Sequence, residues 1–519
     1  MLRLFLSLAA ASLLILAFPR FEAAYLAWIG LVPLLAAIRR SRPATAGALA
    51  YLAGIGFFMG TFSWIRVISG FTLTDFVLLG VYLGSYWGLF GLALSFLTRR
   101  GGFSPVLTAP VIWVCLEYLR SHAGFLALPW ALLGQSQHRL LPVIQMAAFT
   151  GVYGISFIIV MINALLSEIL LALVAGDRES PSRCEMPLLP SALATLGVVT
   201  VSLLYGFSAL SAKPAGDGIN ISLIQGNIPQ AIKWQNQYRT MVLETYCRLT
   251  TQAAQADRPT LIVWPESAIP GAFLQDSQAT HTVFTLAQSL RTHLLLGSAQ
   301  RPKLGEGHKV LTHRYNSVFL LSPEGTIAGY YHKIYLLPFA EYLPYRDAWP
   351  WPKRLAAHAG DFIPGRNFTL FELNGIKFGV AICWENIFPD LVREFVVRGA
   401  EFIVNVTNEA WFGDTAAPHQ FVMMSVFRAV ENRLSVARAA NTGISCVIDP
   451  WGRIAGIVTN QGKYLFVEGF LTKTLPRRQQ ISFYTKYGDA FSYLNMVILL
   501  SLLLLVLFKR VYRKAYDGD

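Results

Sequence analysis

Residues 376–386 read IKFGVAICWEN and predict a β-strand that ends at a cysteine. The apolar run 376–382 suits a buried strand, and Pro389 lies just inside the helical run that follows. A turn between a strand and a helix presents the side chain of Cys383 beside a helix N-terminus. The helix dipole and free backbone N–H groups there favour a thiolate and a developing oxyanion. Cys383 is therefore a candidate nucleophile.

The residues around this strand alternate between short β-type runs and helical stretches. The predicted strands are 219–225, 260–264, 293–298, 316–321, 376–382, 401–406 and 443–449. The predicted helices are 237–255, 279–291, 387–398 and 419–435. Alternating apolar strands and helices are typical of a layered α/β domain. We therefore expect such a domain over residues 211–485.

Two further residues could complete an acyl-transfer site with Cys383. Glu266 follows the predicted strand 260–264 in the stretch WPES, and Lys333 lies in YHKIYLLPFAEYLPY, residues 331–345. A cysteine needs a base to take its proton, and a carboxylate can be that base when burial raises its pKa. A lysine cation can stabilise the tetrahedral oxyanion. Taken singly, Cys383 could be a core residue, Glu266 a helix cap and Lys333 a surface charge.

The rest of the chain is strongly apolar. Its 519 residues are 54% hydrophobic and only 14% charged, whereas about a quarter of a soluble protein is charged. Apolar runs of the length needed to span a bilayer predict about eight membrane helices. These runs are 3–18, 21–38, 45–65, 76–97, 104–119, 142–174, 188–210 and 491–508. We expect residues 1–210 to form a transmembrane bundle of about seven spans and 486–519 to add a final span with a basic tail.

The basic residues that flank these runs predict an orientation. With both termini in the cytoplasm, twelve lysines and arginines lie in the cytoplasmic loops and tails, and four lie in the short outer loops. The twelve are Arg3, Arg39, Arg40, Arg42, Arg99, Arg100, Arg178, Arg183, Lys509, Arg510, Arg513 and Lys514. We therefore expect the α/β domain to face the periplasm. The first run has no clear cleavage site, so we interpret it as a span.

The charge and the cysteines narrow the alternatives. The net charge of +13 is not arranged as a basic stripe with interleaved aromatics, so we expect no nucleic-acid partner. Five cysteines without paired spacing predict neither a disulfide framework nor a metal site, and we expect no cofactor. We interpret Cys247 and Cys446 as core thiols, although the sequence leaves their pairing open. His332 next to Lys333 is a weaker candidate base, and Glu117 a paired structural carboxylate.

The order Glu266, Lys333, Cys383 resembles the catalytic triad of the nitrilase superfamily, whose domain is an αββα sandwich. The whole chain more closely resembles the apolipoprotein N-acyltransferase family, which joins such a domain to a membrane bundle. The resemblance implies that Glu266 is the general base, Lys333 the oxyanion-stabilising residue and Cys383 the acylated nucleophile. It also implies a supporting set: Trp234, Asn316, Glu341, Trp384 and Glu385. Trp384 departs from the tyrosine that the family often has there.

The resemblance implies a ping-pong reaction at the inner membrane. A phospholipid, with phosphatidylethanolamine the expected donor, acylates Cys383, and the α-amine of a diacylglyceryl-lipoprotein accepts the chain. A membrane-anchored amidase that uses water is the main alternative, and a transporter with an outer ligand-binding cap is a weaker one. We further expect the loop 342–356 to meet lipid headgroups through Trp349 and Trp351, with an ordinary proline-rich loop as the alternative.

Overall fold

The computed structural model describes residues 1–175, 188–212, 218–302, 313–478 and 480–516. The chain divides into two compact units. The first contains residues 1–212 and 487–519, and the second contains residues 213–486.

The first unit is helical. Its helices are α1 (Leu2–Ala17), α2 (Ala27–Gly30), α3 (Val32–Ile38), α4 (Pro43–Thr61), α5 (Leu73–Phe96), α6 (Pro105–Ser121), α7 (Leu141–Ile144), α8 (Ala147–Thr150), α9 (Val152–Ala175) and α10 (Leu188–Ser211), and the later helix α18 (Ala490–Tyr516) also belongs to it. Several of these helices are long and strongly apolar, so a lipid environment suits them. The predicted helical membrane region is confirmed.

Five helices are long and apolar enough to cross a membrane among the described residues: Pro43–Thr61, Leu73–Gly101, Val152–Val174, Leu188–Ser211 and Ala490–Lys509. The other predicted runs form shorter helices, so the count of eight spans is approximate. The run 21–38 is divided between α2 and α3, where Pro33 begins the second helix. The run 142–174 is interrupted at Gly151, whose φ of 62° requires the left-handed region.

Small residues let α4 and α5 approach closely. A Cβ added to Gly54 would lie 2.7 Å from the Cβ of Trp87, and one added to Gly84 would lie 2.9 Å from the backbone nitrogen of Ile55. Larger residues would therefore push the two helices apart. Helix pairs in membranes commonly use small residues in this way.

The segment after α6 is buried from residue 129 to residue 138. The Arg120 guanidinium donates to the carbonyl oxygens of Leu128 and Trp130 at 2.9 and 2.7 Å. One carboxylate oxygen of Glu117 accepts from the indole of Trp113 and from the backbone N–H of Leu133. These bonds satisfy backbone groups that lipid could not. Glu117 is thus hydrogen-bonded through one oxygen to an indole and a backbone N–H, and its structural role stays a prediction.

The described residues of the second unit form twelve strands and the remaining helices. The strands are β1 (Gly218–Gln225), β2 (Leu261–Val263), β3 (His293–Gln300), β4 (Tyr315–Leu321), β5 (Ile327–His332), β6 (Phe371–Leu373), β7 (Ile376–Ile382), β8 (Phe402–Thr407), β9 (Ser435–Ala440), β10 (Cys446–Ile448), β11 (Ile454–Ile457) and β12 (Gly469–Pro476). The helices are α11 (Gln230–Lys233), α12 (Arg239–Asp257), α13 (Ser277–Leu290), α14 (Lys353–His358), α15 (Pro389–Val397), α16 (Ala417–Asn432) and α17 (Phe483–Tyr487).

The strands form two six-stranded sheets, in the orders β12-β1-β2-β3-β4-β5 and β11-β10-β9-β8-β7-β6. The centre of each sheet is parallel, with Leu261 opposite Ile221 in the first and Phe402 opposite Phe378 in the second. The sheets contact each other through β1 and β9. Apolar residues of α12 and α13 pack with the first sheet, and α15 and α16 contact the second. The unit is therefore the expected αββα sandwich.

All seven predicted strands and all four predicted helices are present, but five strands were not predicted. These are β5, β6, β9, β11 and β12. The strand β9 has the sequence SVARAA, whose small residues and buried arginine carry little strand propensity. Its place between β8 and β10 is decided by tertiary packing, which a local pattern does not record.

Candidate active site

Glu266 lies just after the carboxyl end of β2. The preceding Trp264 is fully buried, stacks on Tyr246 and donates its indole N–H to the hydroxyl of Thr250 at 2.7 Å. Ser267 follows in the left-handed region with a φ of 50°. This fixed turn directs the Glu266 side chain inward, where it is only 8% exposed. Its bonds lie within the site described below, so the helix-cap interpretation of Glu266 is wrong.

Lys333 follows β5 and is 2% exposed, which rules out the interpretation as a surface charge. Its backbone N–H donates to the carbonyl oxygen of Asn316 on β4 at 2.8 Å, and its own carbonyl accepts from the N–H of Gly365 at 2.7 Å. These bonds continue the sheet past the end of β5. They hold the lysine stem while the ammonium reaches the carboxylates.

Cys383 follows β7 and is partly exposed. Its φ of 54° places it in the left-handed region, which is costly for a residue with a Cβ. The amide of Asn405 on β8 donates to the carbonyl oxygens of Ala381 and Cys383 at 2.9 and 3.4 Å. Cys383 itself opens a short 3-10 helix that ends at Ile387, and α15 begins only at Pro389. The expected turn is therefore longer than a direct step from strand to α-helix.

Two carboxylates and one amide surround the Lys333 ammonium. The Lys333 Nζ lies 2.8 Å from Glu341 Oε2 and 4.0 Å from Glu266 Oε1. The side-chain amide of Asn316 donates to Glu266 Oε1 at 2.8 Å and to Glu341 Oε1 at 3.0 Å. The backbone N–H of Leu337 also donates to Glu341 Oε2 at 2.7 Å. The sequence-predicted residues Glu266, Asn316, Lys333 and Glu341 thus meet in one network.

The charges of this network set the protonation states. Burial opposes the charge of Lys333, but the negative charges of Glu341 and Glu266 outweigh it and raise the lysine pKa. Burial and the charge of Glu266 together raise the pKa of the Cys383 thiol to about 12, although Lys333 lowers it. The resting cysteine is therefore a thiol, and Lys333 is a cation. The charges of Glu266 and Lys333 both act on the pKa of Cys383, and the two groups lie 4.0 Å from each other.

Glu385 joins the segment that carries Lys333 to the strand that carries Cys383. One oxygen accepts from the hydroxyl of Tyr331 and from the backbone N–H groups of Ile334 and Tyr335, at 2.6–3.0 Å. The other accepts from the N–H of Ile382 at 2.7 Å. Burial raises the Glu385 pKa to about 7, against these hydrogen bonds, which lower it. Glu385 therefore links the segment that carries Lys333 to the strand that ends at Cys383.

The two predicted tryptophans differ in their environment. Trp234 is 49% exposed and lies at the end of α11, with the Lys233 ammonium 5.9 Å from its ring centre. Trp384 is 9% exposed and packs edge-on against Phe388. Its indole N–H has no hydrogen-bond partner among the described residues. The tryptophan at this position therefore contributes apolar contact, where a phenol would have offered a hydroxyl.

Three residues of the site were not predicted. Lys233 is fully buried and donates from Nζ to the backbone carbonyl of Glu266 at 3.3 Å. The backbone N–H of Asn408 donates to Glu266 Oε2 at 2.9 Å. The hydroxyl of Thr407 has no hydrogen-bond partner among the described residues and is near enough to the Cys383 thiol to lower its pKa. Asn408 and Thr407 stand at the carboxyl end of β8, where parallel strands commonly place functional groups. That position was the available signal for both.

The structure also decides between the remaining alternatives. Cys247 and Cys446 are free thiols, partly and fully buried respectively, so the core interpretation is confirmed for them. Cys184 lies outside the described residues. The ring of His332 shares a hydrogen bond with Ser317 and stacks on Tyr315 at 4.1 Å between centroids. The side chain of His332 therefore contacts residues of β4, and the interpretation of His332 as a base for the thiol has no support.

Both units match known protein families. Residues 10–165 match the family model described as the apolipoprotein N-acyltransferase N-terminal domain, and residues 220–468 match the carbon-nitrogen hydrolase model. A protein from Geobacter metallireducens, named apolipoprotein N-acyltransferase, is 39% identical over 93% of this chain and 91% of its own length. The chain belongs to the apolipoprotein N-acyltransferase family.

Other members of the apolipoprotein N-acyltransferase family show similar coverage. A relative from Bradyrhizobium diazoefficiens is 32% identical over 80% of this chain and 76% of its own length. Among solved structures, a nitrilase-superfamily amidase from Nesterenkonia is 20% identical, covering 55% of this chain and 98% of the amidase, with a TM-score of 0.40.

Proposed function

We propose that this chain transfers an acyl chain from a phospholipid to the α-amine of the N-terminal diacylglyceryl-cysteine of lipoproteins, with a thioester on Cys383 as the intermediate. Membership of the apolipoprotein N-acyltransferase family supports the reaction. The observation that carries the mechanism is the meeting of a carboxylate, an ammonium and a thiol. The Glu266 and Lys333 groups lie 4.0 Å apart, and both interact electrostatically with Cys383.

The first half-reaction begins with proton transfer. Because the Cys383 pKa is raised to about 12, the thiol must lose its proton as it attacks the sn-1 ester carbonyl. Glu266 is the base in this step. Its carboxylate is positioned by the amide of Asn316 and the N–H of Asn408. A positioned base of this kind contributes about 10²–10⁴-fold to rate.

The tetrahedral intermediate then collapses to the thioester. Lys333, kept cationic by Glu341 and Glu266, stabilises the oxyanion on the former carbonyl oxygen. The carbon–oxygen bond to the glycerol breaks, and Glu266 returns the proton to the departing oxygen. A lysophospholipid leaves, Glu266 is again a carboxylate, and the acyl chain is bound to the sulfur of Cys383.

The second half-reaction forms an amide. The α-amine of the lipoprotein, with an ordinary pKa near 7.7–8.0, is partly neutral at working pH and attacks the thioester carbon. Glu266 takes a proton from the nitrogen, the carbon–sulfur bond breaks, and Glu266 gives that proton to the sulfur of Cys383. The thiol is regenerated. Replacing a thioester by an amide favours this direction.

The substrates and the location follow from the same proposal. Phosphatidylethanolamine is the proposed donor, the protein resides in the inner membrane, and residues 211–485 form the catalytic domain on the periplasmic side. Both termini are cytoplasmic in this arrangement, which the excess of flanking lysines and arginines supports. Two residues of that count, Arg178 and Arg183, lie outside the described residues. Labelling of single exposed cysteines from the outside would test the orientation.

The variant C383A tests the nucleophile. We expect its lipoproteins to keep a free α-amine, and we expect no acyl adduct on the purified protein after incubation with phospholipid. The variant C247A, which removes a partly buried thiol on α12, is the matched control and should acylate normally. Acylation by C383A at the wild-type rate would overturn the assignment.

The amidase alternative is tested by the fate of the thioester. Wild-type protein is loaded with phospholipid, and the mass of the Cys383 peptide is followed with water alone or with a diacylglyceryl-peptide amine. A lasting adduct that only the amine discharges supports transfer. Rapid discharge by water in the absence of the amine would favour a hydrolase.

A further inference from the structure

Lys233 is a second buried lysine beside the candidate nucleophile. It ends α11 and has no exposed surface, although lysines are almost never fully buried without a partner. Its Nζ donates to the backbone carbonyl oxygen of Glu266 at 3.3 Å. An ammonium has three N–H donors, so one carbonyl leaves most of this capacity available toward the site.

The electrostatic partners of Lys233 are the reacting groups themselves. Its charge interacts favourably with the carboxylate of Glu266 and with the thiolate form of Cys383. Burial nevertheless lowers the Lys233 pKa to about 8, because an apolar environment disfavours the ammonium. Burying the Lys233 ammonium therefore costs free energy, and an apolar residue at this position would not have this cost.

The carboxylates around Lys333 outnumber its single positive charge. Glu266 and Glu341 bring two negative charges, and Lys333 brings one positive charge. Buried charges are costly unless they are balanced. Three other ionisable groups lie in this environment: Glu385, with its pKa raised to about 7, interacts with Lys333, and Arg438, which forms an ion pair with Glu409, interacts with Cys383.

We infer that Lys233 is a positioning residue of the acyl transfer, which holds the turn of Glu266 through its carbonyl and, beside Lys333 and Arg438, supplies positive charge that stabilises the Cys383 thiolate. This inference rests on the proposed function for its place in the reaction. Its electrostatic part concerns the thiol alone and can be measured without a lipid substrate. Lys333 then stabilises the oxyanion, whereas Lys233 stabilises the thiolate of Cys383 and holds the backbone of Glu266.

The variant K233Q keeps an N–H donor for the Glu266 carbonyl and removes only the charge. The readout is the alkylation rate of Cys383 by iodoacetamide at fixed pH, followed by the mass of its peptide. An opposite charge close to an ionisable group shifts its pKa by about one unit or more, so we expect alkylation to slow about tenfold. The kcat of acyl transfer should fall in parallel, with little change in KM. The variant K233R keeps the charge and should recover most of both rates.

The matched control is K377M, which removes an exposed lysine from β7, the strand that ends at Cys383. Its alkylation rate should equal that of the wild type. A merely structural role for Lys233 would loosen the site and speed alkylation in K233Q, and an unchanged rate would equally overturn the inference. If K233Q does not fold, K233M removes the charge and the donor together, and alkylation that is slower in K233M than in K233R still supports the inference. Absence of acyl transfer in the wild type would instead reject the proposed function, while the alkylation comparison still tests Lys233.

Discussion

Glu341 and Lys333 form a buried ion pair in which the ammonium nitrogen lies 2.8 Å from one carboxylate oxygen and 2.9 Å from the other. The same ammonium lies 4.0 Å from Glu266. Glu341 therefore neutralises the charge of Lys333, and Glu266 can exchange a proton with the thiol. With a single carboxylate beside the lysine, the same group would have to pair with the ammonium and act as the base.

Replacing Glu341 by glutamine should remove this separation. In E341Q, Lys333 loses its nearest negative charge and is expected to pair with Glu266, which would then be a poorer base. We expect thioester formation on Cys383 to slow by about two orders of magnitude, the usual contribution of a positioned base. The measurement is single-turnover acylation by phospholipid, followed by mass spectrometry.

The matched control for that change is E372Q, on the exposed face of β6. It removes a carboxylate of the same size from the same unit and should acylate at the wild-type rate. Equal rates in E341Q and E372Q would contradict the role assigned to Glu341.

The sequence predicted the elements that carry Glu266 and Cys383, because β2 and β7 are buried runs of apolar residues with an abrupt end. Continuous apolar runs of this length are the strongest local signal for parallel strands. The roles of the residues did not come from that pattern. They came from the resemblance to the nitrilase superfamily, on the order of three residue types along the chain.

Local sequence could not predict that Lys333 is buried or that Lys233 contacts Glu266. Lys333 stands among tyrosines and a histidine, and only the fold brings Glu341 back onto its ammonium. Lys233 bonds a backbone carbonyl, and Asn408 bonds Glu266 through its backbone N–H. Main-chain partners leave no residue-type signature, so such contacts become visible only when both sheets are in place.

Glu385 predicts a pH dependence of stability. Burial raises its pKa from an ordinary 4.5 to about 7, so between these values the folded protein holds a proton that the unfolded chain has lost. Its contribution to stability is therefore full below about pH 4.5, falls as the pH rises and is lost above about pH 7. We expect the thermal midpoint of the wild type to fall relative to E385Q over this window.

The measurement is the difference between the thermal midpoints of the two proteins at each pH, because E385Q also lowers stability by an amount that does not depend on pH. A glutamine amide would face the N–H of Ile382, which now donates to a carboxylate oxygen, so the variant should be less stable throughout. A difference that stays constant from pH 4.5 to 7.5 would contradict the raised pKa.

The two tryptophans of the loop 342–356 have different environments, although the sequence analysis assigned both to contact with lipid headgroups. Trp349 is 61% exposed, whereas Trp351 is partly buried, donates its indole N–H to the carbonyl of Pro344 at 2.6 Å and packs on Phe339. We therefore expect W349S to weaken turnover of phospholipid in vesicles without changing the thermal midpoint. W351S should lower the midpoint, because it removes a contact that holds the loop.

A suitable control is I454S, which removes an exposed apolar residue from β11. It should change neither turnover nor the midpoint. Unchanged turnover in W349S, at vesicle concentrations below saturation, would end the proposal that this loop meets lipid headgroups.

Asn316 offers the sharpest test of the carboxylate network, because its amide donates to both Glu266 and Glu341. N316A removes two hydrogen bonds to charged groups, which are each worth about 1.5–3 kcal/mol, and should slow thioester formation by at least tenfold. N316D places a third carboxylate against the first two and one lysine. The three would share a proton, and Glu266 would be a poorer base in consequence. We expect N316D to be at least tenfold slower than N316A at neutral pH. Single-turnover acylation of both variants measures the difference, and equal rates would mean that the amide acts only as a spacer.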